Sequence, residues 1–143
     1  MIAGWAKRCY FAGRAVMEAA LRQHGLGATQ WYVLHQLARE GPTRQRVLTQ
    51  MLEVERATLS VVVSELVRKG LVEQVPDQDD ARQKLLRLTG AGLALWDRLP
   101  NLETLIHETA FGTIDDAEIA VAVRVLRTAT ERLDGLSSKG TDS

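Results

Sequence analysis

The chain has 143 residues, 45% of them hydrophobic and 25% charged, the usage of an ordinary globular domain, which excludes a collagenous, coiled-coil or wholly disordered polypeptide. At roughly 100–200 residues per domain there is room for one fold and none for a separate catalytic module. Lys plus Arg (18) balances Asp plus Glu (18), so net charge does not draw this protein to a polyanion or a membrane surface, and any nucleic-acid face has to be local.

Ile2, Trp5, Cys9, Ala12, Val16 and Ala20 recur at steps of three and four, which predicts an amphipathic helix over residues 2–24 with Cys9 on its buried side. Gly25 and Gly27 stop it. Thr29 is the predicted N-cap of a second helix that carries Trp31, Leu34 and Leu37 on one side and ends at Gly41 and Pro42. A short helix from Arg44 to Leu52 places Val47, Leu48, Met51 and Leu52 on one face. From Arg56 to Lys69, the positions of Leu59, Val62, Val63 and Leu66 follow i, i+3, i+4, i+7; this period overrides the strand preference of three consecutive valines and predicts a helix. Gly70 then supplies a residue that enters the left-handed region at low cost. Leu71 to Val75 and Lys84 to Leu88 read as two strands of a hairpin around the polar loop 76–83. Thr89 opens a further helix with Leu93, Trp96 and Leu99, which Pro100 bends or breaks. Asp115, with Glu118 three residues on, makes a capping-box-like start for a last helix striped by Ile119, Val123, Leu126 and Leu133, and residues 136–143 are expected to be a disordered tail.

The order of these elements carries more information than any one of them. Glu53-Val54-Glu55 joins two short helices by three residues, the connection of a helix-turn-helix with its second helix presented outward, and the hairpin that follows suits a wing. The expected fold is mainly α with a small β-hairpin wing, a winged helix-turn-helix.

Four fragments in this order make the chain similar to the MarR family of winged-helix transcriptional regulators: Leu26 to Gln30 (Leu-Gly-Ala-Thr-Gln), Leu66 to Glu73 (Leu-Val-Arg-Lys-Gly-Leu-Val-Glu), Asp77-x-x-Asp80-x-Arg82, and Leu86 to Gly92 (Leu-Arg-Leu-Thr-Gly-Ala-Gly). The similarity covers residues 10–133. It implies one domain over residues 1–135, with a winged-helix DNA-binding lobe at about 28–89, dimerisation helices at about 1–25 and 90–135, and the short tail beyond. It implies a homodimer whose terminal helices interlock. Apolar residues on those helices, including Trp5, Phe11, Leu102, Leu105, Ile106, Val123 and Leu126, agree, because a monomer with a protruding lobe cannot cover them and an uncovered patch of this kind marks an interface. Two-fold symmetry then sets the recognition helices in successive major grooves, about 34 Å apart, on a pseudo-palindromic site in double-stranded DNA.

Burying the apolar face of the helix 56–69 turns Arg56, Thr58, Ser60, Val61 and Ser64 outward. Arg56 is the residue there suited to bidentate contact with guanine, Thr58 and Ser60 suit bases or phosphates, and Val61 suits a thymine methyl, while Ser60 and Ser64 also fit a plain solvent-facing surface. The family resemblance implies that Asp80 braces the wing while Arg82 enters the minor groove, where a guanidinium responds to groove width. Lys84, Arg87, Arg44 and Arg46 are candidates for flanking phosphates. Three positions depart from the family pattern: Gln74 where Arg is frequent, Val61 where the outer helix face often has Arg, and Glu55 in place of a small polar cap. Glu55 ranks poorly as an N-cap, and with Glu53 it adds negative charge near the expected DNA face.

The resemblance further implies a regulator, commonly a repressor, released by a small aromatic or anionic effector bound between the dimerisation helices and the lobe. Candidate lining residues are Trp31, His35 and His107; core packing is the bland alternative for the tryptophans. A ligand that prefers a lobe spacing incompatible with DNA weakens binding by its differential affinity for the two states. Cys9 raises a redox-sensing alternative, opposed by its expected burial.

An enzyme is the first rival. His24, His35 and His107 lack a paired ligand motif, no phosphate-binding glycine loop occurs, and no acid, base and nucleophile can be assigned; no catalytic residues, metal or cofactor are expected. The second rival is a winged helix that binds protein, favoured by near balance of charge over residues 39–87, with nine basic and eight acidic groups. One cysteine forms no intrachain disulfide, and no apolar run approaches the roughly 18–20 residues that span a bilayer. The expectation is a cytoplasmic protein with no membrane attachment.

Overall fold

A computed structural model describes residues 1–140. Two compact units divide the chain, one from Met1 to Pro100 and the other from Asn101 onward. The first holds helix α1 (Ile2–Leu21), a 3-10 turn (Arg22–His24), α2 (Ala28–Glu40), strand β1 (Thr43–Arg44), α3 (Gln45–Leu52), α4 (Arg56–Arg68), β2 (Val72–Pro76), β3 (Lys84–Leu88) and α5 (Gly90–Arg98). The second holds α6 (Leu102–Phe111) and α7 (Asp116–Gly140).

The core of the first unit is built from Leu21, Trp31, Val33, Leu34, Leu37, Leu48, Leu59, Val63, Leu66 and Leu86, each almost completely excluded from solvent. On α4 the predicted face holds for Leu59, Val63 and Leu66, while Val62 is half-buried at its margin. The end of α4 is a Schellman motif. Gly70 stands at φ 73°, its N–H donates to the Val67 carbonyl at 2.9 Å, and the Leu71 N–H donates to the Leu66 carbonyl at 3.0 Å, so the last carbonyls find partners that a straight helix denies them.

The sheet has three strands in the order β1-β3-β2, all antiparallel. Val72 faces Leu88 and Pro76 faces Lys84, which sets the hairpin register. Sequence periodicity does not reveal β1, a two-residue strand whose Thr43 and Arg44 face Leu86 and Leu85; two residues are too few to show a period. It moves Arg44 from the expected start of the short helix into the sheet.

Thr89 and Gly92 dock α5 onto this sheet. The Thr89 hydroxyl donates to the Gly70 carbonyl at 2.6 Å and accepts from the Gly92 N–H at 3.0 Å. A Cβ on Gly92 would lie 2.0 Å from the Leu71 carbonyl oxygen, so this close approach requires glycine.

Other corrections have local causes. The N-cap of α2 is Gly27; the Thr29 hydroxyl instead accepts from the Arg14 guanidinium at 3.3 Å. Helix α5 ends at Arg98, and a separate α6 begins after Pro100 with the Asn101 side chain accepting from the Thr104 N–H at 3.1 Å. The last helix continues through Gly140, so the tail expected from residue 136 is helical over 136–140, and residues 141–143 lie outside the described residues. On α1 the stripe Ile2, Trp5, Cys9, Ala12 and Val16 is exposed, with Met17 and Leu21 the buried residues of that helix; the expected burial of Cys9 is therefore overturned. The period marked a real apolar face that its own chain leaves open.

Candidate nucleic-acid interface

Helix α3 is polar along the side opposite Leu48, where Gln45, Arg46, Thr49 and Gln50 fall at i, i+1, i+4 and i+5. That side, the start of α4 and the wing enclose an open cleft of about 640 Å³ lined by Gln45, Arg46, Thr49, Gln50, Arg56, Ser60, Arg82, Gln83 and Lys84. Among the described residues its lining holds four cations and no carboxylate. A chain of zero net charge thus keeps a local basic surface, because the compensating acids stand elsewhere.

Five residues singled out in the sequence, Arg46, Arg56, Ser60, Arg82 and Lys84, meet in this cleft. Thr58, Val61 and Ser64 are exposed on α4 beside them without lining it. Gln45, Thr49, Gln50 and Gln83 were missed, although the polar spacing on α3 was readable. Gln74, at the position where Arg is frequent, donates from Nε2 to Gln45 Oε1 at 2.9 Å and holds that cleft residue in place. Glu55, at the N-cap of α4, makes no side-chain capping bond.

The wing tip is tightly tied. Asp80 Oδ1 accepts from the Arg82 N–H at 3.1 Å and from Arg82 Nε at 3.2 Å, while the Asp80 carbonyl accepts from the Gln83 N–H at 2.9 Å. The Arg82 side chain nonetheless stays 92% exposed, so its remaining donors face solvent.

Arg44 and Arg87, proposed from sequence as phosphate contacts, are engaged within the lobe. Arg87 pairs with Glu73 across the hairpin. Arg44 Nε donates to Asp77 Oδ2 at 2.5 Å, and Arg44 is absent from the cleft lining. Asp77 is buried at the mouth of the wing, and the hydrogen bond from Arg44, followed by the Asp79 amide, holds its carboxyl below the usual aspartate value.

A second feature sits on α2 and α5. Trp31 stacks on His35 with ring centres 4.8 Å apart and planes 11° from parallel, and Trp96 lies 5.4 Å from Trp31 and 5.7 Å from His35. Trp31 is 1% exposed, yet its indole N–H has no hydrogen-bond partner. His107, the third effector candidate, stands on α6 in edge contact with Phe111 at 5.7 Å.

A helix-turn-helix whose second helix is outward, a three-stranded winged sheet and a basic cleft between them define a winged-helix DNA-binding protein. Comparison with known proteins agrees. The MarR family model matches residues 24–83. The repressor NicR of Pseudomonas putida is 27% identical over 121 residues, covering 85% of this chain and 77% of the relative. Bordetella bronchiseptica BpsR, whose structure concerns regulation of its DNA binding by 6-hydroxynicotinic acid, is 25% identical with a TM-score of 0.77, covering 91% of this chain and 93% of that one. PcaV, a transcriptional regulator from Streptomyces coelicolor, is 27% identical with a TM-score of 0.70, covering 94% and 98%. Over the residues of the winged lobe the chain is similar to the MarR family of transcriptional regulators. Among the described residues no helix is long and apolar enough to cross a membrane.

Proposed function

We propose that this protein is a homodimeric repressor that binds a pseudo-palindromic operator and is released by a small aromatic acid. The observation that carries the DNA half is the cleft in which Arg46, Arg56, Ser60, Arg82 and Lys84 converge between α3, α4 and the wing. Arg56 and Ser60 read bases from the major groove, with Thr58, Val61 and Ser64 alongside. Arg82 enters the minor groove, braced by Asp80, and Arg46 and Lys84 meet phosphates.

Dimerisation is supported by apolar surface that the chain leaves uncovered. Ile2, Trp5, Phe11 and Val16 on α1 are exposed, as are Leu105, Val121, Val123, Leu126 and Leu133 on α6 and α7. Of the sequence-assigned interface residues, Leu102 is buried and Ile106 half-buried within the single chain. A 25-residue helix that buries none of its own residues needs a partner to be stable in water. Cys9 lies on the same exposed face of α1, where a dimer covers it.

The effector half rests on the Trp31, His35 and Trp96 cluster. Its buried, unpartnered indole N–H favours a ligand that brings an acceptor oxygen on a flat ring, since an unmade buried bond is costly. The 6-hydroxynicotinic acid that regulates DNA binding by BpsR is an aromatic acid of this class. The test selects bound duplexes from a random pool at a stated salt concentration, with Arg82→Ala in competition. Recovery of a palindrome that the variant binds more weakly is expected. Failure to enrich any sequence, with equal behaviour of the variant, sinks the DNA reading in favour of a protein-binding module.

A further inference from the structure

The wing loop 77–83 carries Arg82 at its tip, and a loop free to wander would lose affinity each time it had to be ordered on DNA. The tip is closed by Asp80, but Asp80 belongs to the loop and moves with it. What fixes the loop to the body of the lobe is Asp77 at its base. The Asp77 side chain is 8% exposed and works in two directions: Oδ1 accepts from the Asp79 N–H at 2.8 Å, and Oδ2 accepts from Arg44 Nε at 2.5 Å. Its own N–H donates to the Gln83 carbonyl at 3.1 Å, across the mouth of the loop.

Arg44 comes from the far side of the sheet. It sits on β1, opposite Leu85 of β3, and is the residue from which α3 starts. One charge-assisted bond therefore connects the first helix of the DNA-binding motif with the root of the wing, over 33 residues of sequence. Neither partner lines the basic cleft. Both line a separate hollow with Glu40, Pro42, Val47 and Leu85.

We propose that Arg44 and Asp77 are positioning residues, a clasp that presets the wing so that both govern DNA binding through Arg82 without touching DNA. The proposal rests on operator binding through Arg82 as set out above. It also reassigns Arg44, whose positive charge at the start of the motif suggested a phosphate contact.

The test is a double-mutant cycle on a duplex that the wild-type chain selects from a random pool, with Asp77→Asn and Arg44→Gln made alone and in the Arg82→Ala background. Asp77→Asn keeps the acceptor for the Asp79 amide and removes the charge that Arg44 needs. Each variant is expected to weaken binding roughly tenfold in the wild-type background and less than about twofold once Arg82 is gone. Arg44→Lys, which keeps the charge, restores most of the affinity. Amide hydrogen exchange over residues 77–83 of the free protein accelerates in Asp77→Asn and Arg44→Gln, with the exchange of α4 unchanged.

Losses of full size in the Arg82→Ala background overturn the proposal, as does unchanged exchange in the loop. If Arg44→Gln alone weakens binding and lowers the salt slope by about one, Arg44 is a phosphate contact and the clasp is wrong. If Arg82→Ala binds as tightly as wild type, the wing contact itself fails. The loop exchange distinguishes that case from a failed clasp, because it reads the Arg44 to Asp77 bond without DNA.

Discussion

Glu18 of α1 caps α2 from outside the helix: its Oε1 accepts from the backbone N–H of Ala28 at 3.1 Å. The N-cap residue, Gly27, has no side chain to do this, and Gln30 Oε1 reaches back to the Gly27 N–H at 3.1 Å. Two donors of the first turn are thus satisfied by residues on either side of the helix start. Arg14 stands 3.8 Å from the same carboxylate and donates to Thr29, which ties α1 to the helix that carries Trp31 and His35. Glu18→Ala is expected to destabilise the fold by about 1 kcal/mol, and Glu18→Gln by less, because glutamine keeps the acceptor and loses the charge facing the helix dipole. Urea denaturation of the three proteins checks the order; equal midpoints contradict it.

Gly92 predicts a larger effect. Alanine there puts its methyl 2.0 Å from the Leu71 carbonyl oxygen, a backbone atom held by the Thr89 N–H at 3.1 Å and unable to yield. The expected loss is roughly 1–3 kcal/mol from overpacking. Gly90→Ala, where a methyl meets nothing within 4 Å, is the control and should leave the midpoint nearly unchanged.

Glu53 ends α3 at φ 51° and ψ 42°, and it is the one described residue other than glycine with positive φ. A left-handed conformation carries a cost for any residue with a Cβ. Glu53→Gly is expected to raise stability by about 0.5–1 kcal/mol, the relieved strain exceeding the added freedom of the unfolded chain. Thermal melting reads it, and a lowered melting temperature contradicts it. Glu55→Ser supplies α4 with the cap it lacks, worth roughly 1 kcal/mol, and it should also tighten DNA binding at low salt by removing a negative charge beside Arg56.

Asp77 gives stability a pH dependence of definite sign. The Arg44 hydrogen bond and the Asp79 amide lower its pKa in the folded chain from the ordinary 3.8, so the unfolded chain takes up the proton first as pH falls. Its contribution is whole above the ordinary value and is lost as pH drops below it through the native one. Wild type and Asp77→Asn should therefore differ most in urea midpoint above about pH 4, the gap closing as acid is added. A gap independent of pH between about 2 and 6 contradicts the assignment.

How much could be read in advance follows from the distance over which each feature is decided. The face of α4, the stop at Gly70 and the strands β2 and β3 depend on residues within a turn or two of one another, and all were readable. The candidate site was readable in part for the same reason: Arg56 and Ser60 follow once the buried face of α4 is known, whereas Arg82 was singled out by the family resemblance of its loop. Features that join distant segments were not. The strand β1 exists because Thr43 and Arg44 meet Leu86 and Leu85; Arg44 is drawn from the expected DNA face by an aspartate 33 positions away; Trp96 joins Trp31 and His35 from across the unit.

Period and turn chemistry along this chain were enough for the order of its first four helices and the hairpin and for the apolar stripe of α1, and four short motifs were enough for the family it resembles. They said nothing of which carboxylate meets which guanidinium, nor that the stripe holding Trp5 and Cys9 faces away from its own core. Hydrophobic spacing records that a face seeks cover, a short-range property of the backbone. Which surface provides that cover, and which charges are used up on the way, depends on how segments far apart in the chain are brought together.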